Sequence, residues 1–563
     1  MRELNQPVES AFSGGPKDWM TIDWHHVHRT VRGMQLRIAK ATQEGDWRRV
    51  KALQRMLTRS LTAKMLAVRR VTENQGKRTA GVDRVLWTEP GQRWKAISQL
   101  RPRGYKPLPL RRVFIPKSNG KERPLGIPTM RDRAMQALHL LALEPVAEST
   151  GDPNSFGFRQ GRSTHDAMAQ NFICLAKKYS PEWVMEADIK GCFDHIDHDW
   201  LVTHVRMDKA ILRKWLKAGI LYRGQYEPTE EGTPQGGIIS PTLANVALDG
   251  LEVGLKAHVY ATLGYTKAQQ AKVNVIRYAD DFVITGSSKE VLVETVRPWV
   301  EQFLAIRGLE LSEEKTRVTH IDAGFDFLGW NFRKYSGKLL IKPSRKNAQA
   351  FYRKVKELIS RHKSLRQDLL IMMLNKVLRG WANYHHPVVA QNVFNSLDAL
   401  LFRALWQWAR RRHNNKGAKW VKDRYFHAIG TRNWVFAARR EEGEAQAPML
   451  ELYQLADTPI VRHVKVKAEF NPFDPAFEQY AEKRRQDRML RSRAHRKQWA
   501  GLYALQQGLC ALCRQPITRE TGWHDHHIVP RVAGGSDLLS NRVLLHPGCH
   551  TQVHALGLAV VKP

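Results

Sequence analysis

The stretch VIRYADDFVITG, residues 275–286, constrains the fold more than any other part of the chain. Val275, Ile276 and Tyr278 on one side, and Phe282, Val283 and Ile284 on the other, read as two short strands. Between the strands stand two adjacent acids, Asp280 and Asp281. Tight hairpins favour Asn-Gly or Asp-Gly, because those residues tolerate a positive φ. Asp-Asp does this poorly and sets two like charges side by side. The expectation is that bound metal, not neighbouring protein, neutralises the acids. Without metal the turn should show local strain or like-charge repulsion.

Neighbouring carboxylates at a hairpin tip can hold divalent cations. In two-metal catalysis the ions sit about 4 Å apart and stabilise the attacking and leaving oxygens of a phosphoryl displacement. Protein usually supplies Mg²⁺ with one or two carboxylates, substrate phosphates adding the rest. Bridging two ions calls for another carboxylate from elsewhere. WVMEADIKGCFDHIDH offers one, because Val184, Met185 and Ala187 make a buried strand that ends at Asp188. Alone, Asp188 reads as a strand-end turn residue; beside the hairpin acids it becomes a site residue.

Charge narrows the partners. Lys and Arg number 90 against 54 Asp and Glu, a formal +36 over 563 residues. Such an excess repels itself unless a polyanion is present. The basic residues recur along the whole chain, which favours an extended nucleic-acid surface over a single membrane patch. No segment has the apolar run a membrane span needs. The polar opening MRELNQPVESAFSGG reads as neither a signal nor a transit peptide. Five cysteines, three of them at Cys510, Cys513 and Cys549, argue for a reducing compartment and metal ligation. A cytoplasmic protein with no membrane contact is expected.

Along the chain, residues 24–72 read as helical, broken near Gly45-Asp46. Residues 105–340 mix strands such as RRVFIP with helices. Residues 345–440 read as all helix, with Val393, Leu397, Leu400, Leu401, Leu405 and Trp408 on one face and Arg403, Arg410 and Arg411 elsewhere. Residues 441–498 change character: EEGEAQAP is a linker, FNPFDP a loop and EKRRQDRMLRSRAHRKQW a basic helical run. A compact Cys- and His-rich module closes the chain.

YADD after a strand, with ADIKGCFDHIDH upstream, resembles a reverse transcriptase palm. Further blocks follow in that family's order: AVRRVTENQGKRTAGVD (67–83), RRVFIPKSNGKERPLGIPTMRDRAMQ (111–136), GTPQGGIISPTLANVAL (232–248), LELSEEKT (309–316) and FDFLGWNF (325–332). Together with LRGWANYHH (378–386) and WARRRHNNKGAKWVKDRYF (408–426), they resemble the bacterial group II intron-encoded reverse transcriptase/maturase. The resemblance implies a multidomain α+β protein: a right-hand polymerase with fingers and palm, an all-α thumb/maturase domain and a C-terminal ββα-metal HNH domain. The implied boundaries are 1–104 for an N-terminal helical extension and the start of the fingers, and 105–340 for fingers and palm. The thumb/maturase (X) domain takes 341–440, a basic DNA-binding segment and linker 441–498, and the HNH domain 499–563.

Carried over residue by residue, the resemblance implies that Asp188 and Asp280 bind both Mg²⁺ ions. Asp281 is the neighbouring acid and a less direct ligand, and the Ile189 carbonyl adds another. Lys117 and Arg123 fit the positions that grip a deoxynucleoside triphosphate, as point charge and fork. Phe193 would block a 2′-hydroxyl, and Gln235 would approach the templating pair, where the adjoining glycines permit close backbone approach. GFDFLGW resembles the hairpin that holds the primer end.

In the last module, Cys510 and Cys513 form a C-x₂-C pair, and His546 and Cys549 repeat its spacing. Together they suit a closed structural Zn²⁺ site. The family's second pair is usually C-x₂-C, and zinc accepts the exchange. The remaining histidines resemble an HNH endonuclease, in which His526, His550 and His554 ligate a divalent metal such as Mg²⁺. His527 is then the general base, and Asn541 holds the base's loop. His550 and His554 stand four apart, so one helix face can present both to one ion.

The expected function is that of a multifunctional intron protein. It binds intron RNA and assists splicing, cuts one target DNA strand, and copies the RNA into DNA from the exposed end. It would act in the bacterial cytoplasm beside the nucleoid. The alternative is an RNA-binding splicing maturase with an inactive polymerase. Oligomeric state is not legible.

Overall fold

The computed structural model describes residues 18–116, 122–233, 236–439, 449–490, 497–518, 520–530, 535–536 and 538–562. Lys117 and Gln235 lie outside the described residues, as do 440–448 and 491–496, of which 441–448 and 491–496 fall within the expected DNA-binding segment and its linker.

The N-terminal region forms three helices, Trp24–Gln43, Trp47–Arg59 and Leu61–Glu73. The expected break is present: Gly45 takes φ +71°, and Asp46 caps the second helix by accepting from Arg49 N at 2.9 Å. The three helices rest on a long interior helix, Met130–Thr150, which is buried almost all round. Its first turn is capped by Thr129, and Gln35 donates to the Leu141 carbonyl at 2.9 Å.

Two four-stranded sheets follow. The fingers sheet runs Glu122–Ile127, Leu110–Pro116, Ile220–Tyr222, Gln225–Glu227. The palm sheet runs Asn274–Tyr278, Asp281–Gly286, Trp183–Asp188, Arg317–His320, all antiparallel. The palm strands read as unbroken apolar runs because both faces are covered. Val275, Phe282, Ile284, Met185 and Ala187 enter one core, shared with the N-terminal helices and the C-terminal module. Ile276, Val283 and Val184 enter the other, shared with the thumb. That division is the two-residue alternation of a strand, and each buried Val, Ile, Phe or Met side chain among them contributes roughly 1.5–3 kcal/mol.

A three-stranded sheet, Phe325–Phe327, Trp330–Tyr335 and Lys338–Pro343, joins palm to thumb. Trp330 is buried and stacks on Tyr384 at 4.5 Å, while Tyr384 Oη donates to the Leu328 carbonyl at 2.8 Å. The WANYH end of the thumb helix Gln367–His385 therefore pins the hairpin resembling a primer holder. Helices Arg345–Arg361, Gln391–Arg412 and Ala418–Tyr425 complete the helical part. The apolar face expected there is present, with Leu397, Leu401, Leu405 and Trp408 buried and Val393 and Leu400 packed against the same core.

The helices stop at Tyr425, which corrects the all-helix expectation for 345–440. Phe426–Ile429 and Arg432–Ala438 pair as an antiparallel hairpin turned at Gly430, where φ is +60°. β-Branched and aromatic residues with a glycine turn outweigh the helical run before them.

From 452 the chain returns across the palm. Buried Asp166 accepts from Val466 N at 2.8 Å, pairs with His463 at 2.9 Å and is in contact with Arg484. FNPFDP is a loop, as expected, and the basic run gives the helix Glu478–Leu490 and, after 491–496, the helix Lys497–Leu505. The last module adds strands His524–His527 and Arg542–Leu545 and the helix Pro547–Leu556, a ββα arrangement.

Candidate active site and metal centres

Asp188 and Asp281 face each other across the palm sheet as Cα partners, and Tyr278 pairs with Asp281 on the other side. Ala279 and Asp280 are thus the two-residue tip of the hairpin. Ala279 takes φ +59°, a conformation that costs an L-residue roughly 1–2 kcal/mol. This is the strain expected of the turn. The turn is held from outside: Phe156 N donates to the Arg277 carbonyl at 2.9 Å, and Arg277 N to the Asn154 carbonyl at 3.0 Å. Gly157 lies so close that a Cβ there would come within 2.3 Å of Ala279 N. Below the turn, Arg277 is buried, pairs with Asp249 at 2.5 Å and donates to Asn245 at 3.1 Å.

The three carboxyls are crowded. Enclosure by the groove, then the charges of Asp280 and Asp188, push Asp281 up to about 7, although its side chain is reached by solvent. Enclosure first, and then Asp188, also raises Asp280, while Arg123 and Lys315 act against the rise. This is the like-charge repulsion expected without metal. Neutralisation by metal alone is corrected, because Lys315 Nζ donates to Asp188 Oδ2 at 2.7 Å. Lys315 is brought there by the segment 309–315: Ile189 bridges Leu311, and Ser312 N donates to the Asp188 carbonyl at 2.8 Å. A cation on Asp188 and mutual repulsion among three acids are what a divalent-cation site shows when protein alone fills it. The donor set of oxygens fits Mg²⁺.

Arg123 is exposed on the fingers strand opposite Ile115, within electrostatic reach of Asp280. Phe193 is half-buried on the short turn after Asp188, edge-on to Phe158 at 6.2 Å. Phe158, 53% exposed with φ +57°, is a second aromatic on this wall that the sequence reading passed over. The Phe193 carbonyl accepts from Thr233 N at 2.6 Å, and Gly232 sits against Asp194, its missing Cβ 2.4 Å from that carbonyl. Gly236 takes φ +114° beside the Gly126 carbonyl.

The C-terminal module brings together two further groups. Cys510, Cys513, His546 and Cys549 are buried with all ligand atoms within 4.8 Å of one another. Cys513 Sγ lies 3.3 Å from His546 Nδ1, and the His546 N–H donates to Cys510 Sγ at 3.4 Å. Three sulfurs and one imidazole nitrogen in a closed site fit zinc. His526, His550 and His554 form the second cluster within the same 4.8 Å limit. The helix Pro547–Leu556 places His550 and His554 one turn apart, their rings 4.5 Å apart, and the strand His524–His527 brings His526 over both. Strand alternation sends His524 to the same side, 3.4 Å from His550. His524 was also missed, though a position two before His526 was the available signal. His527 is opposite Arg542 in the register. Asn541 accepts from Val529 N at 2.8 Å and donates to the Val529 and Ser536 carbonyls, closing the loop that follows His527.

Comparison with known proteins matches four regions. Residues 19–100 match the N-terminal domain of reverse transcriptase, 115–332 the reverse transcriptase (RNA-dependent DNA polymerase), 348–426 the group II intron maturase-specific domain and 510–556 the HNH endonuclease. The chain is similar to protein YkfC of Escherichia coli, 35% identical over 47% of this chain and 78% of that one. It is also similar to the group II intron-encoded protein LtrA of Lactococcus lactis, 31% identical over 54% of this chain and 61% of LtrA. The match therefore spans less than two thirds of LtrA. Apo telomerase from Candida tropicalis aligns over 57% of this chain and 62% of that one, at 13% identity and TM-score 0.33, too distant to bear on the fold.

Proposed function

Since the chain belongs to the group II intron-encoded proteins, uniting reverse transcriptase, maturase and HNH endonuclease domains, we propose that it promotes splicing and mobility of an intron RNA by target-primed reverse transcription. The observation that carries the polymerase half is the register of Asp188 on Asp281 with Asp280 at the strained tip between them. Three carboxylates from two distant segments converge, as nucleotidyl transfer requires. Nothing favours the inactive-polymerase alternative.

In this reading Asp188, Asp280 and Asp281, with the Ile189 carbonyl, hold two Mg²⁺ ions, Asp281 less directly. Bound metal would neutralise the charge developing on the reacting phosphate. Arg123 and Lys117 orient the triphosphate of the incoming deoxynucleotide, Phe193 excludes a 2′-hydroxyl, and Gln235 lies by the templating pair. Lys315 pairs with Asp188 until metal displaces it. The fully buried Trp330 and its Tyr384 partner steady the hairpin at the primer end.

In the C-terminal module, His526, His550 and His554 hold one divalent ion such as Mg²⁺, and His527 takes the proton from the attacking water. Asn541 keeps His527's loop closed, and the Cys510–Cys513–His546–Cys549 site holds structural Zn²⁺. Partners are intron RNA, target DNA and deoxynucleoside triphosphates, in the bacterial cytoplasm beside the nucleoid. No helix among the described residues is long and apolar enough to cross a membrane.

The test supplies the protein–intron RNA particle with a duplex target and deoxynucleotides. The reading expects cDNA joined covalently to the cut strand. Asp280→Ala should leave the cut and splicing but no cDNA, and His527→Ala should leave the strand whole. Normal splicing by a wild-type protein that never makes cDNA would support the alternative instead.

A further inference from the structure

We propose that Arg69, on the N-terminal helix Leu61–Glu73, is the counter-charge of the C-terminal thiolate metal site. Through it, metal loading and the docking of the nuclease module on the N-terminal helices are one coupled event. The proposal rests on reading the Cys510–Cys513–His546–Cys549 cluster as a metal site. It goes further by assigning a partner surface to that site, nearly five hundred residues away in sequence.

Arg69 is 5% exposed, and its Nη2 donates to Cys549 Sγ at 3.5 Å. Its Nε donates to both Glu73 oxygens at 3.1 Å, and the guanidinium lies 4.5 Å over the Trp24 ring. Its Nη1 is buried with no hydrogen-bond partner among the described residues. A buried guanidinium left this short of partners is tolerated only where negative charge is close. Glu73 is partly open to water and meets only one edge of it. A divalent ion with three thiolates and a neutral imidazole carries a net charge of about −1, and one of those thiolates faces Arg69. The loaded site thus supplies the missing charge.

Residues in and beside the ligand set make the rest of the contact. The Cys513 carbonyl lies 3.2 Å from His25 Nδ1. Gln552, one turn past Cys549, donates to the carbonyls of Met20 at 2.7 Å and Ile22 at 2.8 Å, just ahead of the first helix. Gly548 lies so near Glu73 that a Cβ would stand 2.3 Å from Oε1. Leu502, Tyr503, Leu544 and Val553 share one continuous core with Val27, Val31 and Val68. The metal knot therefore presents its own ligands to the N-terminal helices. Any factor that orders the ligands favours docking, and docking favours metal by the same factor. The consequence is a nuclease fixed against the polymerase's N-terminal domain, in place of one held only by a linker.

The test uses the full-length protein loaded with Zn²⁺ and reads zinc loss to a chromogenic chelator together with hydrogen exchange. Arg69→Met should speed zinc loss by about tenfold, within the usual range of two-site coupling. Arg69→Lys, which keeps the charge, should restore most of the retention. Gln552→Ala leaves every metal ligand in place and removes only the two hydrogen bonds to the Met20 and Ile22 carbonyls, and it should also speed loss and raise exchange at residues 20–31. Stripping zinc from the wild type should raise exchange in the same segment. The proposal is overturned if both Arg69→Met and Gln552→Ala release zinc at the wild-type rate. It is equally overturned if stripping leaves exchange in the N-terminal helices unchanged. A wild-type chain that binds no zinc would remove the metal-site reading itself.

Discussion

Gly157 lies directly against the backbone of Ala279, at the tip of the acidic hairpin. The nearest backbone atom would be 2.3 Å from an added Cβ, so no side chain fits without moving the turn. Gly157→Ala should displace Asp280 while leaving the core intact. The expected result is a fall in primer extension of tenfold or more, with stability lowered by about 1–3 kcal/mol, as for overpacked sites. Extension rates and thermal unfolding of the same preparation check both parts. Wild-type activity in Gly157→Ala would mean that the turn is not held from this side.

Lys315 donates to an oxygen of Asp188, one of the carboxylates proposed to hold metal. It therefore competes with metal. Lys315→Ala should lower the Mg²⁺ concentration needed for half-maximal extension, and it should scarcely change stability, because the lysine is well exposed. A magnesium titration of both proteins measures this. A higher Mg²⁺ requirement in the variant would show that Lys315 assists metal binding.

His550 and His554 share one helix face with His526 above them. His550→Ala should abolish strand cutting and leave primer extension at the wild-type level, since the palm carboxylates belong to another site. Separate assays on one nicked and one intact substrate distinguish the two. Loss of both activities would point to a wider collapse of the module's docking.

Two buried histidines, His139 and His385, and the half-buried His165 make the fold sensitive to acid. Burial lowers His139 to about 4, His165 to about 4 and His385 to about 3. The unfolded chain takes up these protons as pH falls through 6.5, whereas the folded chain resists until near 4. Stability is therefore full above about pH 7 and declines between 6.5 and 4, by up to ~3 kcal/mol for each histidine. Asp166, held well below the usual carboxylate range by His463 and Arg484 despite its burial, adds to the decline at still lower pH. Urea midpoints at pH 7.5, 6 and 5 should fall in that order. A flat profile would mean that these histidines are hydrated.

The hairpin 275–286, the strand ending at Asp188 and both clusters of the last module were legible because each depends on local pattern: alternation, spacing or helical period. The strain at the turn was legible for the same reason. Lys315 was not, since a lysine in SEEKT looks like any solvated charge until the segment folds onto Asp188. Gly157 and Phe158 were hidden because close approach is a property of two segments at once. The hairpin 426–438 was hidden behind the long helices before it, although Val435, Phe436 and Ala437 already broke their period. The contact of Arg69 with Cys549 had no local trace at all.

The most direct test of the whole account is deoxynucleotide incorporation on an RNA template by wild type, Asp188→Asn and Asp280→Asn, each shown to be folded by circular dichroism. The account predicts Mg²⁺-dependent cDNA from the wild type and a loss of roughly a hundred- to a thousandfold in either variant, the scale of removing a principal electrostatic element of a catalytic site. Full-rate extension by either variant, or none by a well-folded wild type, would contradict it.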